Sequence, residues 1–417
     1  MKKLLIVSFD LIRQGESATS LSIGSLLTSL YQSDDYGQKF TVEHFSINLL
    51  DEAGLATRLS QLKRLNFGAY DWVAVSAYIW GEKWLRQFLH YLRYENRYKG
   101  IIVLGGYQVS YSNDEQLIKD YPEADCFIKG YGEVSLLRLL QHTLNGGAPQ
   151  KIINAPTQLP NLPSAYLSGA VEIQHRQAMV RMEAKRGCPY KCTFCAHKDN
   201  LGHKIHESNL ETVLREIDLM KEKQVGKINF LDPVFNMNGE YLEILRYFQK
   251  IGYKGLISLQ SRPEKIAGEK GVEFLNLVKD LNVVLEFGTQ TLNEEINRTI
   301  RRQNNYTQIF EAFKQVQQAG ISFEVSLIYG LPNQTLDSFQ RDIDTLRKIG
   351  VKDITAWPLM LLKGTQLYTQ KAQFDFREKS LGQFDIPHVV ESNTYTEKDW
   401  LQMHEVAVVL NPNSRIF

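Results

Sequence analysis

Cys188, Cys192 and Cys195 lie in the segment Arg186-Gly187-Cys188-Pro189-Tyr190-Lys191-Cys192-Thr193-Phe194-Cys195, a C-x3-C-x2-C array that uses three of the chain's 4 cysteines. Three thiolates so close together can hold an iron-sulfur cluster and leave one iron without a protein ligand. An iron open in that way binds an outside molecule, which turns an electron carrier into a catalyst. The competing chemistry is a Cys3His zinc site completed by His197, His203 or His206. Structural zinc, however, usually draws its ligands in paired C-x2-C or C/H spacing, and no second cysteine pair exists here. A further residue stands out on chemical grounds. Glu286 interrupts the apolar run Val283-Val284-Leu285-Glu286-Phe287, where an unpaired carboxylate is costly and a functional role is the better explanation.

These groups have to be positioned, and 417 residues is too long for one ordinary core. With 43% hydrophobic and 23% charged residues the composition is that of a globular enzyme, and a formal charge of +1 argues against a surface that tracks nucleic-acid phosphates. The start, Met1-Lys2-Lys3 followed by Leu4 to Phe9, has a charged head but a short apolar run that ends at Asp10. It reads as a first buried strand rather than a signal peptide. No segment approaches the ~20 apolar residues that span a bilayer, so no membrane role is expected. Four cysteines with three spent on one motif leave no disulfide framework, which fits a reducing, cytoplasmic setting.

Residues 1–145 alternate short apolar runs with helical patterns, the signature of a doubly wound, Rossmann-like parallel sheet. The runs are Leu4 to Phe9, Phe40 to Ile47, Trp72 to Ala77, Ile101 to Leu104 and Asp125 to Ile128. Ligands of such sheets sit beyond the carboxyl ends of the strands. There the sequence has Asp10, Ser76, Tyr78, Gly105-Gly106-Tyr107-Gln108 and Gly130-Tyr131-Gly132-Glu133, with glycines where a backbone would approach a large ligand. A dinucleotide reading lacks its G-x-G-x-x-G after the first strand. Residues 146–178, broken by Gly146-Gly147 and several prolines, read as a linker. A second alternation over 179–365 predicts six strand-helix units, a partial (β/α)6 barrel of the TIM type, whose catalytic groups gather at the carboxyl ends of its strands. The cysteine loop follows the first of these. Residues 366–417 read as a small C-terminal extension. The fold class is therefore α/β throughout.

With these motifs in order the chain resembles the radical S-adenosylmethionine (SAM) superfamily. The marks are the cysteine loop with Phe194 before its last cysteine, Asn229-Phe230-Leu231-Asp232-Pro233, Gly288-Thr289-Gln290-Thr291 followed by Ile300-Arg301-Arg302, and Leu327-Ile328-Tyr329-Gly330-Leu331-Pro332-Asn333-Gln334-Thr335. The resemblance implies a [4Fe-4S] cluster on Cys188, Cys192 and Cys195. It also implies SAM held through Phe194 near adenine, Asp232 near the methionine amino group, Ser258 and Arg262 at the carboxylate, Glu286 and Gln290 at the ribose, and Ile328 on the fifth strand. The N-terminal half is similar to the cobalamin-binding domain of one branch of that superfamily. Its loops Leu104-Gly105-Gly106-Tyr107-Gln108 and Lys129-Gly130-Tyr131-Gly132-Glu133 carry the likeness. The cobalt-ligating D-x-H-x-x-G motif is absent, because Ile12 stands in the histidine position of Asp10-Leu11-Ile12-Arg13-Gln14-Gly15, and a side chain without a lone pair cannot ligate cobalt.

By resemblance the expected reaction is methylation of an unactivated carbon through methylcobalamin and a 5'-deoxyadenosyl radical. A non-methylating cyclisation, rearrangement or ring contraction with the same cofactors stays open, as does a sensor without turnover. Methylthio transfer needs a second cysteine trio, and the N-terminal half has only Cys126. The expected partners are a small-molecule or peptide substrate and an electron donor such as flavodoxin or ferredoxin. The substrate itself, and the oligomeric state, are not written in the motifs.

Overall fold

A computed structural model describes residues 1–156, 162–197, 204–266 and 269–411. His203, a candidate zinc ligand, and Pro160 of the expected linker fall outside them. The chain divides into two compact units, Met1–Val180 and Arg181–Phe417.

The first unit is built on β1 (Lys2–Asp10), β2 (Phe40–Asn48), β3 (Trp72–Ser76), β4 (Ile101–Gly105), β5 (Cys126–Lys129) and β6 (Ile152–Asn154). All pair in parallel in the order β2-β1-β3-β4-β5-β6. The helices α1 (Leu21–Tyr31), α2 (Glu52–Lys63), α3 (Glu82–His90), α4 (Tyr107–Ser110), α5 (Asp114–Asp120) and α6 (Gly132–Leu144) lie between strands. Leu4 and Ile6 of β1, Trp72 and Ala74 of β3 and Val103 of β4 pack with Ile23, Leu27 and Leu30 of α1 and Leu136, Leu139 and Leu140 of α6. This is the continuous apolar patterning that a sheet covered on both faces requires. Cys126 lies wholly buried in that core, with its thiol pushed up to about 12 by burial, so it is a packing residue.

Where the sequence suggests only a linker, residues 146–156 add β6 to the sheet edge, and residues of 162–178 pack on α1. Thr28 Oγ1 meets Ser168 Oγ at 2.8 Å, and Gly24 has no room for a side chain beneath Val171. The three-residue strand was masked by the glycines and prolines that flank it.

The second unit runs through β7 (Met179–Met182), the short pair β8 (Lys185–Arg186) and β9 (His206–Glu207), then β10 (Lys227–Phe230), β11 (Leu256–Ser261), β12 (Val283–Gln290), β13 (Ser322–Tyr329) and β14 (Asp353–Pro358). The six-stranded sheet has the order β14-β13-β12-β11-β10-β7, and neighbours from β10 to β14 are parallel. Strand order equal to chain order is that of an open arc of β/α units. Its helices are α7 (Leu210–Glu222), α8 (Tyr241–Ile251), α9 (Glu269–Val278), α10 (Glu294–Thr299), α11 (Tyr306–Gln318), α12 (Leu336–Lys348) and α13 (Gln366–Thr369). Alternation within β12 and β13 buries Leu285, Phe287, Val325 and Leu327 under the helices and turns Glu286, Gly288, Glu324 and Ser326 to the inside of the arc. The extension closes the chain with the hairpin β15 (Arg377–Leu381) and β16 (Ile386–Glu391) and with α14 (Glu397–Leu410). Trp400 packs there against Tyr329 and is buried, as large aromatics usually are.

Candidate radical site and cofactor edge

The cysteine loop is fastened at both ends. Before it, the carboxylate of Asp232 accepts from the backbone N–H of Ala184 at 2.8 Å and of Lys185 at 3.1 Å. The ammonium of Lys185 donates to the carbonyls of Phe235 (2.6 Å) and Met237 (2.7 Å). Within and after it, the N–H of Thr193 donates to the carbonyl of Ile300 and the N–H of Leu367 to that of Thr193, each at 2.9 Å. Burial raises the Asp232 carboxyl to about 7, opposed by Lys185. Burial likewise lowers Lys185 to about 8, opposed by Asp232.

Cys188, Cys192 and Cys195 line one cavity of about 440 Å³ together with Phe194, Arg262, Glu286 and Gln290. Residues far apart in sequence are thus brought together. Burial raises the Cys188 thiol, and it pushes Cys195 up to about 11. Loading a metal centre must therefore release protons. The donor set suits a cluster: three cysteines line the cavity together with the cation of Arg302. Arg302, which has no assigned role in the sequence reading, lines the cavity with its Nη1 3.8 Å from Cys192 Sγ. Its Nη2 donates to the carbonyl of Gly288.

The cavity is also prepared for a polar guest. Ser261 Oγ and Arg302 Nε are buried without a hydrogen-bond partner among the described residues, and both belong to residues of the lining. Such atoms cost free energy unless something fills the space. Arg262 combines two roles: it lines the cavity, lies over the Tyr190 ring at 4.2 Å, and forms an ion pair with Glu264 at 3.3 Å. On the adjoining wall Glu286 and Glu324 are register partners on β12 and β13. Burial first, and Glu286 second, raise the Glu324 carboxyl. Trp357 completes that wall.

Three residues expected at SAM are not in this lining. Ser258 is fully buried and donates its hydroxyl to Glu286, which supplies the partner that the sequence left open for that carboxylate. Asp232 is fully buried on the loop's backbone. Ile328 is half-buried on β13. The stretch around it has a plain structural use: Gln334 Oε1 accepts from the N–H of Gly330 (2.7 Å) and of Leu331 (3.1 Å), and Thr335 caps α12.

In the first unit the strand order reverses at β1 and β3, where open α/β sheets take ligands. Asp10 closes β1, accepting from Ser8 Oγ at 2.5 Å and Ser46 Oγ at 3.1 Å. Ser76 ends β3, and Tyr78 stacks on Trp80 with ring centroids 4.6 Å apart. Gly105 ends β4. Gly106 has φ 109°, a conformation open essentially to glycine, and a Cβ there would lie 2.8 Å from the Ala77 carbonyl oxygen. Tyr107 and buried Gln108 open α4, and the N–H of Gln108 donates to Ala77. Gly130, at φ 88°, Tyr131, Gly132 and Glu133 form the turn from β5 into α6. Every residue expected at the large ligand thus lies at one carboxyl edge.

Residues 182–346 match the family model of the Radical SAM superfamily. This segment of the chain is a radical SAM domain. The matched span contains the cysteine loop and β10 to β13. Among curated proteins, the chain is similar to bacteriochlorophyllide d C-12(1)-methyltransferase of Chlorobaculum tepidum, at 23% identity over 80% of this chain and 72% of that one. It is also 23% identical to the cobalamin-dependent radical SAM methyltransferase TokK of Streptomyces tokunonensis, over 72% of this chain and 48% of that one. Among solved structures, the methyltransferase TsrM of Kitasatospora setae, with cobalamin and a [4Fe-4S] cluster bound, superposes with a TM-score of 0.68 at 16% identity. That match covers 89% of this chain and 75% of TsrM. OxsB, a cobalamin-dependent SAM radical enzyme, gives 0.72 at 15% identity, covering 99% and 67%. At these identities the likeness shows a shared fold, a parallel N-terminal sheet followed by a radical SAM barrel. No helix among the described residues is long and apolar enough to cross a membrane.

Proposed function

We propose that this radical SAM enzyme is a cobalamin-dependent methyltransferase that places a methyl group on an unactivated carbon, working in a reducing, cytoplasmic setting. The observation that carries the reading is the cavity in which the three cysteines meet Arg262, Glu286, Gln290 and Arg302. It is supported by the glycine-rich carboxyl edge of a separate parallel sheet in the same chain and by methyltransferases among the relatives.

In this reading Cys188, Cys192 and Cys195 hold the [4Fe-4S] cluster, and residues from Asp10 to Glu133 at the sheet edge hold cobalamin. Bound there, the cluster would supply the electron for reductive cleavage of SAM, and cobalamin would serve as the methyl carrier. The chain's own residues orient SAM. Arg302 and Arg262 face its carboxylate with charge-assisted bonds, Ser261 offers its free hydroxyl, Gln290 and Glu286 take the ribose hydroxyls, and Phe194 lies along the adenine. Ser258 acts through Glu286 by fixing its rotamer. Asp232 acts through the loop, holding the backbone that leads into Cys188. With Ile12 in place of a histidine, that motif offers no nitrogen to cobalt, and Tyr107 and Gln108 would be among the edge residues that hold the corrin.

The cofactor half of the proposal is tested by anaerobic reconstitution of the full chain with iron, sulfide and cobalamin. Iron and cobalt retained by the same chain after gel filtration, with a change in the reduced cluster's electron paramagnetic resonance (EPR) signal on adding SAM, agree with it. Loss of cobalt in the presence of an intact cluster contradicts it.

A further inference from the structure

A second cavity of about 870 Å³ lies in the radical SAM unit, walled on one side by Pro189, Tyr190 and Lys191 of the cysteine loop and on the other by the segment from Glu294 to Thr307. Tyr190 and Arg302 belong to the linings of both cavities, so little more than one layer of side chains separates this groove from Cys192. The groove is basic. Lys191, Arg298 and Arg301 are exposed, and none of them enters an ion pair with a described residue. Glu294 is the single acidic residue of the lining. The backbone keeps the cations in place: Arg301 sits at φ 51°, held by its N–H donating to the carbonyl of Arg298 at 3.2 Å and by the N–H of Arg302 donating to that of Asn297 at 2.9 Å.

We propose that this groove is the docking surface for an acidic one-electron carrier protein of the flavodoxin or ferredoxin class, which delivers its electron to the cluster through the wall formed by Tyr190 and Arg302. The inference rests on the cluster assignment above and is independent of cobalamin and of methyl transfer. Two requirements meet here. Electron transfer slows steeply with distance, so the donor must approach the cluster loop from a side that leaves the SAM cavity unobstructed. Unpaired surface cations attract and orient an acidic partner, and they do so chiefly through the association rate. A transient redox complex needs only a small interface. The step balances simply: one electron leaves the reduced centre of the carrier and enters the cluster, and no proton or group moves.

The test uses the full chain with its cluster reconstituted and a purified flavodoxin as the probe. Titration calorimetry at low salt gives the affinity, and stopped-flow absorbance gives the rate of cluster reduction by flavodoxin hydroquinone. Arg298→Glu with Arg301→Glu is expected to weaken binding and slow that reduction at least tenfold, Lys191→Glu alone to slow it less, and raised salt to reduce the wild-type rate toward that of the double variant. Reduction by dithionite, which needs no docking, is expected to be unchanged, as is the cluster absorbance. Wild-type affinity and rate in the double variant would overturn the proposal. So would an equal slowing with dithionite, which would assign these residues to the cluster's own environment. Tight binding of inorganic pyrophosphate that leaves flavodoxin binding unaffected would also overturn it, by marking a small-anion site. Failure to form S-adenosylhomocysteine with normal cluster reduction would leave the docking surface standing and count against the methyltransferase reading alone.

Discussion

The guanidinium of Arg302 aims Nη1 at the sulfur of Cys192, 3.8 Å away, while Nη2 is anchored on the Gly288 carbonyl. A cation beside a cluster thiolate favours the reduced, more negative cluster. Arg302→Gln is therefore expected to lower the cluster's midpoint potential by about 60 mV, the size of a tenfold change in a one-electron equilibrium. Arg302→Lys should recover part of the shift. An EPR-monitored redox titration reads this, and an unchanged potential would mean that the contact carries no electrostatic weight.

Replacing any one of Cys188, Cys192 or Cys195 by alanine should abolish the cluster's visible absorbance and all 5'-deoxyadenosine formation. The loop is held by Asp232, Lys185 and the Thr193 backbone, not by the metal alone. Far-UV circular dichroism should therefore remain that of the wild type.

Asp232 makes stability depend on pH. Its carboxyl stands at about 7 in the fold against 3.8 ordinarily. A carboxyl raised by folding stabilises fully below the unfolded value and loses that contribution as pH rises through the folded one. From this group, stability should decline between roughly pH 4 and pH 7, by at most about 1.4 kcal/mol per pH unit. Asp232→Asn keeps an acceptor for Ala184 and Lys185 and removes the titration. Urea unfolding at pH 5 and pH 7 should show a flatter dependence in the variant; equal slopes would contradict this.

Gly106→Ala places a Cβ 2.8 Å from the Ala77 carbonyl oxygen at φ 109°. It should destabilise the first unit by about 1–3 kcal/mol and reduce cobalamin retention. Denaturant melts and corrin absorbance after gel filtration measure the two effects.

Much of this arrangement is legible along the chain because it is local. The cysteine spacing, the apolar runs of β1 to β5 and β10 to β14, and the glycines after β4 and β5 each declare themselves within a few residues. What escapes is pairing across strands. Ser258 looks like a ligand contact in isolation, but its hydroxyl reaches diagonally past its register neighbour Val284 to Glu286 on the next strand. Asp232 follows the end of β10, where strand alternation no longer tells which way a side chain faces, and it turns to the loop backbone. Arg302 and Ser261 reach the cavity through loop and strand-end geometry that has no periodic signal, and Glu324 gains its meaning only from Glu286 beside it. The strand β6 was hidden by neighbouring glycines and prolines.

The most direct test of the account is product analysis of the anaerobic, cluster- and cobalamin-loaded chain incubated with SAM, a reductant and candidate substrates. The account predicts both 5'-deoxyadenosine and S-adenosylhomocysteine, the first lost with Cys192→Ala and the second lost when cobalamin is omitted. 5'-Deoxyadenosine without S-adenosylhomocysteine would contradict methyl transfer and favour a rearrangement with the same cofactors, and the absence of both would contradict the radical enzyme itself.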